Sequence, residues 1–119
     1  MADTTTQWIK VAEEPRALSF NAEQIAVVNI QGQSYCIGRY KDQLFGFAYR
    51  CPHAAVPLSE GYIDSHGNVV CPLHFYKFSL LNGRNVSGEG YYLKTWPVAC
   101  RPDGVYLGLP PEQSVKDQT

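Results

Sequence analysis

The chain contains Cys51-Pro52-His53 and, after residues 54–70, Cys71-Pro72-Leu73-His74. These two stretches hold two of the four cysteines and two of the three histidines. Each stretch offers one thiolate and one imidazole at a spacing that lets a tight loop aim both at a common point. Because thiolates and imidazoles are usual ligands of zinc and iron in proteins, the sequence predicts a metal site with Cys51, His53, Cys71 and His74 as its ligands.

Two kinds of metal centre can use this ligand set. A structural zinc ion accepts two thiolates and two imidazoles, but its ligands usually come in like pairs. A two-iron, two-sulfide cluster explains one thiolate and one imidazole per loop if one iron takes both sulfurs and the other takes both nitrogens. Replacing two thiolates by histidines raises the reduction potential from roughly −400 mV to between roughly −150 and +300 mV. A zinc-stapled interaction module remains the alternative from another functional class.

The two motifs and the spacer between them, followed by Phe78 and an Asn82-Gly83 turn, resemble the Rieske-type iron–sulfur proteins. The resemblance implies one 2Fe-2S cluster per chain. It places the two cysteines on an inner iron and the two histidines on an outer, more exposed iron. It also implies the fold of that family, an antiparallel β-sandwich with a small inserted cluster-binding subdomain.

Length and composition limit the remaining possibilities. A chain of 119 residues predicts one domain, and a net charge of −1 gives no reason to expect nucleic acid or an anionic membrane as a partner. We see no run of about twenty apolar residues and no leader peptide, so we expect a cytoplasmic protein without a membrane anchor. In a reducing compartment free thiols are the better expectation. Cys36 and Cys100 are therefore expected to be buried thiols.

Outside the two motifs the sequence predicts an all-β chain without helices. Runs of β-branched and aromatic residues alternate with turn residues, as in a sandwich or a partly open barrel. We expect a three-stranded meander, a second small sheet that carries the metal, and a closing hairpin that returns to the meander's sheet. The predicted strands are 8–11, 25–30, 34–40, 44–49, 69–70, 76–81, 91–100 and 105–109.

These elements suggest one Rieske domain in three parts. We expect the cluster-binding subdomain over about residues 51–90 and the basal β-sandwich over about 8–50 and 91–109. Residues 110–119 are expected to form a polar tail.

Departures from the respiratory branch of the family predict a low potential. Proteins of that branch carry an additional, disulfide-bonded cysteine in each loop, where this chain has Val56 and Leu73. Serine and tyrosine hydroxyls that bond the cluster sulfurs in that branch correspond here to Tyr76 and Phe78. Hydrogen bonds to the sulfurs raise the potential. We therefore expect a value nearer to roughly −150 mV than to +300 mV.

A low-potential, single-domain protein of this kind resembles the small Rieske ferredoxins that carry one electron at a time from a flavin-dependent reductase to a ring-hydroxylating oxygenase. In length and architecture the chain also resembles the small subunit of an NAD(P)H nitrite reductase, which remains an alternative. Catalysis by the chain alone is not expected, because non-haem oxygenation needs an iron held by two histidines and a carboxylate. Only His66 remains for such a site, and we expect it in a surface turn.

Partner proteins are expected to dock transiently around the cluster tip, as is usual for redox encounters. Residues 87–90 occupy the region of a third loop over the cluster, and without proline they are expected to be mobile. Candidate charges around the tip are Glu60, Asp64, Lys77, Arg84 and Glu89.

Overall fold

The computed structural model describes residues 6–52, 55–73, 75–87 and 91–110. These residues form three antiparallel β-sheets and two 3-10 turns, Pro15–Ala17 and Leu58–Glu60. The ten strands are β1 (Gln7–Ala12), β2 (Ile25–Ile30), β3 (Gln33–Tyr40), β4 (Gln43–Ala48), β5 (Tyr62–Ile63), β6 (Asn68–Val70), β7 (Lys77–Ser79), β8 (Thr95–Trp96), β9 (Val98–Arg101) and β10 (Gly104–Leu109).

The predicted meander is confirmed as strands β2, β3 and β4 of a four-stranded sheet with the order β2-β3-β4-β8. Two-residue turns join its strands, at Gln31-Gly32 and at Lys41-Asp42. All four turn residues have positive φ, between 51° and 82°. Such turns match the right-handed twist of the flanking strands, so they fix the pairing register of the meander.

The prediction that the closing hairpin returns to this sheet is wrong. Strands β9 and β10 form a separate three-stranded sheet with β1, in the order β1-β10-β9. Of the predicted strand 91–100, the two residues of β8 pair with the meander, where Trp96 lies opposite Gly46. Pro97 divides the predicted strand, because it has no N–H for the ladder. Its carbonyl instead accepts a 2.9 Å hydrogen bond from the amide of Gly108.

A third sheet, with the order β5-β6-β7, confirms the predicted second small sheet. Strand β5, which has only two residues, was not predicted. Strand β6 ends immediately before Cys71, and β4 leads through residues 49 and 50 into Cys51. Both cysteines therefore follow the ends of strands, and strands are rigid supports for a site that needs fixed ligand positions.

The apolar interior has three connected parts. Two lie between the sheets of the sandwich, where residues such as Ile37 and Val105 pack together. The third joins the meander to the small sheet, and it includes both cysteines of the motifs. Its buried members are Ile25, Cys36, Phe47, Cys51, Leu58, Val69, Cys71, Phe78, Leu80 and Leu93.

The two remaining cysteines behave differently. Cys36 on β3 is buried, as predicted, but Cys100 on β9 is exposed, so the prediction of a buried thiol there is wrong. Strand β9 is the edge of its sheet. Val98 near its start packs against the interior, whereas Cys100 and Arg101 at its end are open to solvent. In the part of the chain that the structure describes, no helix has the length and apolarity needed to span a bilayer.

Candidate metal centre

Two loops of the same backbone design begin at Cys51 and Cys71. The amide of Cys51 donates a 2.9 Å hydrogen bond to the carbonyl of Val56. The amide of Cys71 donates a 2.8 Å hydrogen bond to the carbonyl of Tyr76. Each bond joins two residues that are five positions apart, so the two cysteines occupy equivalent positions. We refer to these segments as the first and the second loop.

The loops also share a left-handed residue four positions after the cysteine. Ala55 has a φ of 59° and Phe75 has a φ of 57°. Such a conformation costs a non-glycine residue roughly 1–2 kcal/mol. In each loop a proline, Pro52 or Pro72, directly follows the cysteine and restricts the backbone. The fold accepts the same strain at the same point of both loops, as is common at functional sites.

The thiols of Cys51 and Cys71 lie side by side, within hydrogen-bonding contact of each other. The residues are only 2% and 0% exposed, and neither forms a disulfide. Burial raises the pKa of the Cys71 thiol, and a hydrogen bond from the Leu73 amide lowers it in part. The neighbouring Cys51 thiol raises that pKa further. Ionisation of the Cys71 thiol is therefore opposed unless a cation lies beside it.

This pair of thiols fits the sulfur half of a metal centre. Metal binding deprotonates coordinating thiols and offsets the repulsion between their charges. Packing against Phe47, Leu58 and Phe78 shields this half from water. The amide of Leu73 lies 3.4 Å from Sγ of Cys71 and donates a hydrogen bond to it. Such bonds to metal-bound sulfur orient the ligand and tune its charge.

The predicted nitrogen ligands, His53 and His74, lie outside the described residues. Within residues 6–52, 55–73, 75–87 and 91–110, no group of three or more histidine, cysteine, aspartate or glutamate side chains is placed to hold a metal ion. Of the four predicted ligands, the structure thus brings together the two cysteines. The third histidine, His66, is exposed in the turn between β5 and β6, as predicted.

The structure also describes the residues near the second loop at which the sequence differs from the respiratory branch. Phe78 is completely buried beneath the cysteines, and it has no hydroxyl. The ring of Tyr76 stacks on the ring of Tyr91, with the centroids 6.2 Å apart and the planes inclined by 27°. This contact ties the second loop to the segment that follows residues 88–90. Leu73 is 43% exposed and cannot form a disulfide.

Arg50, which supports the first loop, was not among the residues predicted for the site. Its Nη1 donates a 3.0 Å hydrogen bond to the carbonyl of Ala55, and its guanidinium lies 5.3 Å from the ring centroid of Tyr49. The amide of Leu58 donates a 2.7 Å bond to the Tyr49 carbonyl and closes the base of this loop. In the sequence, the only sign of this role is that the arginine directly precedes a candidate ligand. That feature is too common to predict a supporting role.

Asp64, a predicted rim charge, is instead half-buried and has a structural role. Its Oδ1 accepts hydrogen bonds from the amides of His66 and Asn68 at 2.9 and 3.0 Å. Lys77 forms an ion pair with it at 3.8 Å. These bonds fix the turn that joins β5 and β6, so Asp64 shapes the small sheet. Glu89, another predicted rim charge, and residues 88–90 of the third loop lie outside the described residues.

Comparison with known proteins gives the chain its relatives. The family model for the Rieske [2Fe-2S] domain matches residues 7–97. The 3-phenylpropionate/cinnamic acid dioxygenase ferredoxin subunit of Photorhabdus laumondii is 33% identical over 75 residues, which cover 62% of this chain and 71% of that protein. The protein of the same name from Escherichia coli strain K12 is 31% identical over 90 residues, which cover 75% of this chain and 76% of that protein.

A similar solved structure is a complex of reduced oxygenase and oxidized ferredoxin in carbazole 1,9a-dioxygenase. One chain of this complex superimposes with a TM-score of 0.71 and 26% sequence identity. The match covers 84% of this chain and 91% of that chain. The architecture described above is therefore shared with it across nearly the whole chain.

Proposed function

Because the chain belongs to the Rieske [2Fe-2S] domain family, we propose that it is a one-electron carrier between a flavin-dependent reductase and a terminal oxygenase. Its cofactor is the 2Fe-2S cluster of that family. The similarity to dioxygenase ferredoxin subunits supports an oxygenase as the electron acceptor. The reductase is proposed because a carrier that delivers electrons to an oxygenase needs an electron donor.

We assign Cys51, His53, Cys71 and His74 as the cluster ligands. The observation that carries this assignment is the pair of buried, unbridged thiols at equivalent positions of two matching loops. The two histidines are assigned from their spacing in the motifs. When bound by such a ligand set, a 2Fe-2S cluster accepts and releases one electron at a potential that its surroundings adjust.

The chain's own residues hold the sulfur side rigid and dry. Cys51 and Cys71 are anchored by main-chain hydrogen bonds and by packing in the interior. A rigid, water-excluding support lessens the rearrangement that accompanies a change of charge. The Leu73 amide stabilises negative charge on the sulfur of Cys71. Electron exchange is therefore proposed to occur on the opposite side, where the histidines belong.

We propose the domain division expected from the sequence, with the cluster-binding subdomain over about residues 51–90. Strands β5, β6 and β7 all fall within that range. Phe78 and Val69 from this part share one interior with Phe47 of the meander. The subdomain is thus packed onto the sandwich and is not expected to fold alone.

We also propose a potential at the low end of the Rieske range and a cytoplasmic location. The buried phenyl ring of Phe78, where the respiratory branch has a hydroxyl, supports the low potential. The described cysteines, none of which is disulfide-bonded, are compatible with a reducing compartment.

Anaerobic purification followed by iron, sulfide and zinc analysis tests the proposal. We expect two irons and two sulfides per chain, a red-brown colour and an electron spin resonance signal after reduction. A colourless protein with one zinc ion would support the stapled interaction module. Co-purification with a large sirohaem flavoprotein would instead identify a nitrite reductase subunit.

A further inference from the structure

A cationic cleft lies beside the first loop. It has a volume of about 420 Å³, and its charged lining residues are Arg50 and Lys94. Among the described residues, no carboxylate lines it. Tyr35, Tyr49 and Trp96 provide its aromatic walls. The cleft therefore offers two positive charges beside three aromatic side chains.

This local charge is opposite in sign to the charge of the whole molecule. The chain has 10 basic and 11 acidic residues, so its net charge is −1. An anion far from the surface is weakly repelled, whereas one at the cleft meets Arg50 and Lys94. Focused local charge of this kind raises the association rate of a complementary partner and selects its orientation.

The position of Arg50 links the cleft to the redox site. Arg50 directly precedes Cys51, and its bond to the Ala55 carbonyl fixes the guanidinium on the first loop. The far wall is also ordered, since Tyr35 and Trp96 pack edge to face with their centroids 5.1 Å apart. The Arg50 guanidinium is thus held at a defined place beside the proposed cluster. The main chain at Lys94 is anchored as well, because its carbonyl accepts a 3.0 Å hydrogen bond from the Ala48 amide.

The second loop presents a different surface. Leu73 is 43% exposed and Phe75 is 63% exposed. Exposed apolar side chains that lie together, as these two do in one short loop, form the kind of surface that makes protein contacts. The two loops together combine an apolar part and a cationic part, which is the usual composition of a transient protein interface.

We propose that the cationic cleft receives carboxylate side chains of the flavin-dependent reductase, while Leu73 and Phe75 make the apolar contact. This inference rests on the proposed function. The reduced carrier has one more negative charge than the oxidised carrier, so an acidic partner binds the oxidised form more tightly. The electron donor needs to bind the oxidised form and to release the reduced form. An acidic surface therefore suits the donor better than the acceptor.

The first test uses hexacyanocobaltate(III), a redox-inert trianion, and measures its binding to the cluster-loaded protein by calorimetry at low ionic strength. We expect binding that salt abolishes and that is weaker for the reduced protein. Arg50→Gln and Lys94→Gln should each weaken it about threefold, the effect of one screened charge at this range. Arg50→Lys, which keeps the charge, should retain binding.

Arg16→Gln is the matched control, because it removes one charge from the exposed 3-10 turn Pro15–Ala17. It should leave binding unchanged. Equal weakening by Arg16→Gln, or no binding by the native protein, would overturn the proposal. If Arg50→Gln fails to load the cluster, Lys94→Gln carries the test. A protein that never forms a reducible cluster would fail earlier, in the metal analysis, and would refute the proposed function instead.

The second test separates the two protein partners. With the cognate reductase, Lys94→Gln should raise the KM for the carrier about threefold without changing kcat. With the cognate oxygenase the same variant should behave as the native protein. An increase in KM confined to the oxygenase would overturn the assignment to the electron donor.

Discussion

The amide of Leu73 donates a hydrogen bond to Sγ of Cys71, two residues earlier in the chain, across 3.4 Å. Because the donor belongs to the main chain, most substitutions of Leu73 leave the bond intact. The bond belongs to a loop whose backbone repeats that of the first loop. Its effect on the thiolate can be isolated only by removing the N–H.

Leu73→Pro removes this donor and should lower the midpoint potential. A net hydrogen-bond contribution of about 1 kcal/mol corresponds to about 40 mV for a one-electron couple. Leu73→Ala is the control, since it keeps the N–H and loses only the side chain. A redox titration of both variants measures the difference. Equal potentials in the two variants would show that the bond has no influence on the cluster.

The two remaining thiols should differ sharply in reactivity. Burial raises the pKa of Cys36 to about 12, whereas Cys100 is exposed. Since the thiolate is the reactive form, iodoacetamide at about pH 8 should modify Cys100 and spare Cys36 in the native, cluster-loaded protein. Peptide mass mapping locates the label. The folded, cluster-loaded Cys100→Ser variant should remain unlabelled. Labelling of Cys36 in that variant would contradict the buried position of this thiol.

Acid should weaken the small sheet through Asp64. Partial burial raises the pKa of this carboxyl, but hydrogen bonds from Asn68 and His66 and the charge of Lys77 outweigh it, so the pKa lies below 3.8. A pKa that is lower in the folded state contributes stability above the unfolded value, and this stability is lost as the pH falls through the folded value. Stability should therefore decline below about pH 4.

Asp64→Ala tests this contribution. Loss of the hydrogen bonds should destabilise the protein by about 1–3 kcal/mol at pH 7, and the remaining dependence on acid should be smaller. Thermal unfolding at pH 7 and near pH 3.5 measures both effects. Asp42→Asn removes the same charge from the exposed turn between β3 and β4 and serves as the control. An equal loss of stability in Asp42→Asn would contradict the structural role of Asp64.

Gly61 leaves room for the base of the second loop. A Cβ at this position would overlap the carbonyl oxygen of Val70 and approach Cδ of Pro72. Gly61→Ala should therefore displace the second loop and destabilise the protein by about 1–3 kcal/mol, with less iron bound. Gly32→Ala is the control. Its added Cβ faces open space, so the only expected cost is that of a positive φ at a non-glycine residue. Unchanged iron content and thermal stability in Gly61→Ala would contradict the close approach.

Local chemistry explains which parts of the fold could be predicted from the sequence. The meander was predictable because Gln31-Gly32 and Lys41-Asp42 can adopt the two-residue turns that set its register. The assignment of β9 and β10 was not, because their partner β1 lies at the other end of the chain. Ile9 pairs with Leu107, but neither segment's own sequence indicates which strand it pairs with.

In the candidate site, too, some features could be predicted from the sequence and others could not. The spacing of the motifs predicted that Cys51 and Cys71 would meet, and the structure brings them together. The cationic cleft was not predictable, since Arg50 and Lys94 are 44 positions apart in the sequence and come together only in the fold, where the Ala48 amide donates a 3.0 Å hydrogen bond to the Lys94 carbonyl. The ligand roles of His53 and His74 remain predictions from the motifs.

Electron spin resonance of the reduced protein, grown with ¹⁵N-labelled histidine, tests the ligand assignment most directly. We predict the signal of a reduced 2Fe-2S cluster with hyperfine couplings to two histidine nitrogens. His66→Ala should keep both couplings, and His53→Ala or His74→Ala should abolish or severely impair cluster assembly. A silent protein, or a signal that the nitrogen label does not change, would contradict the account.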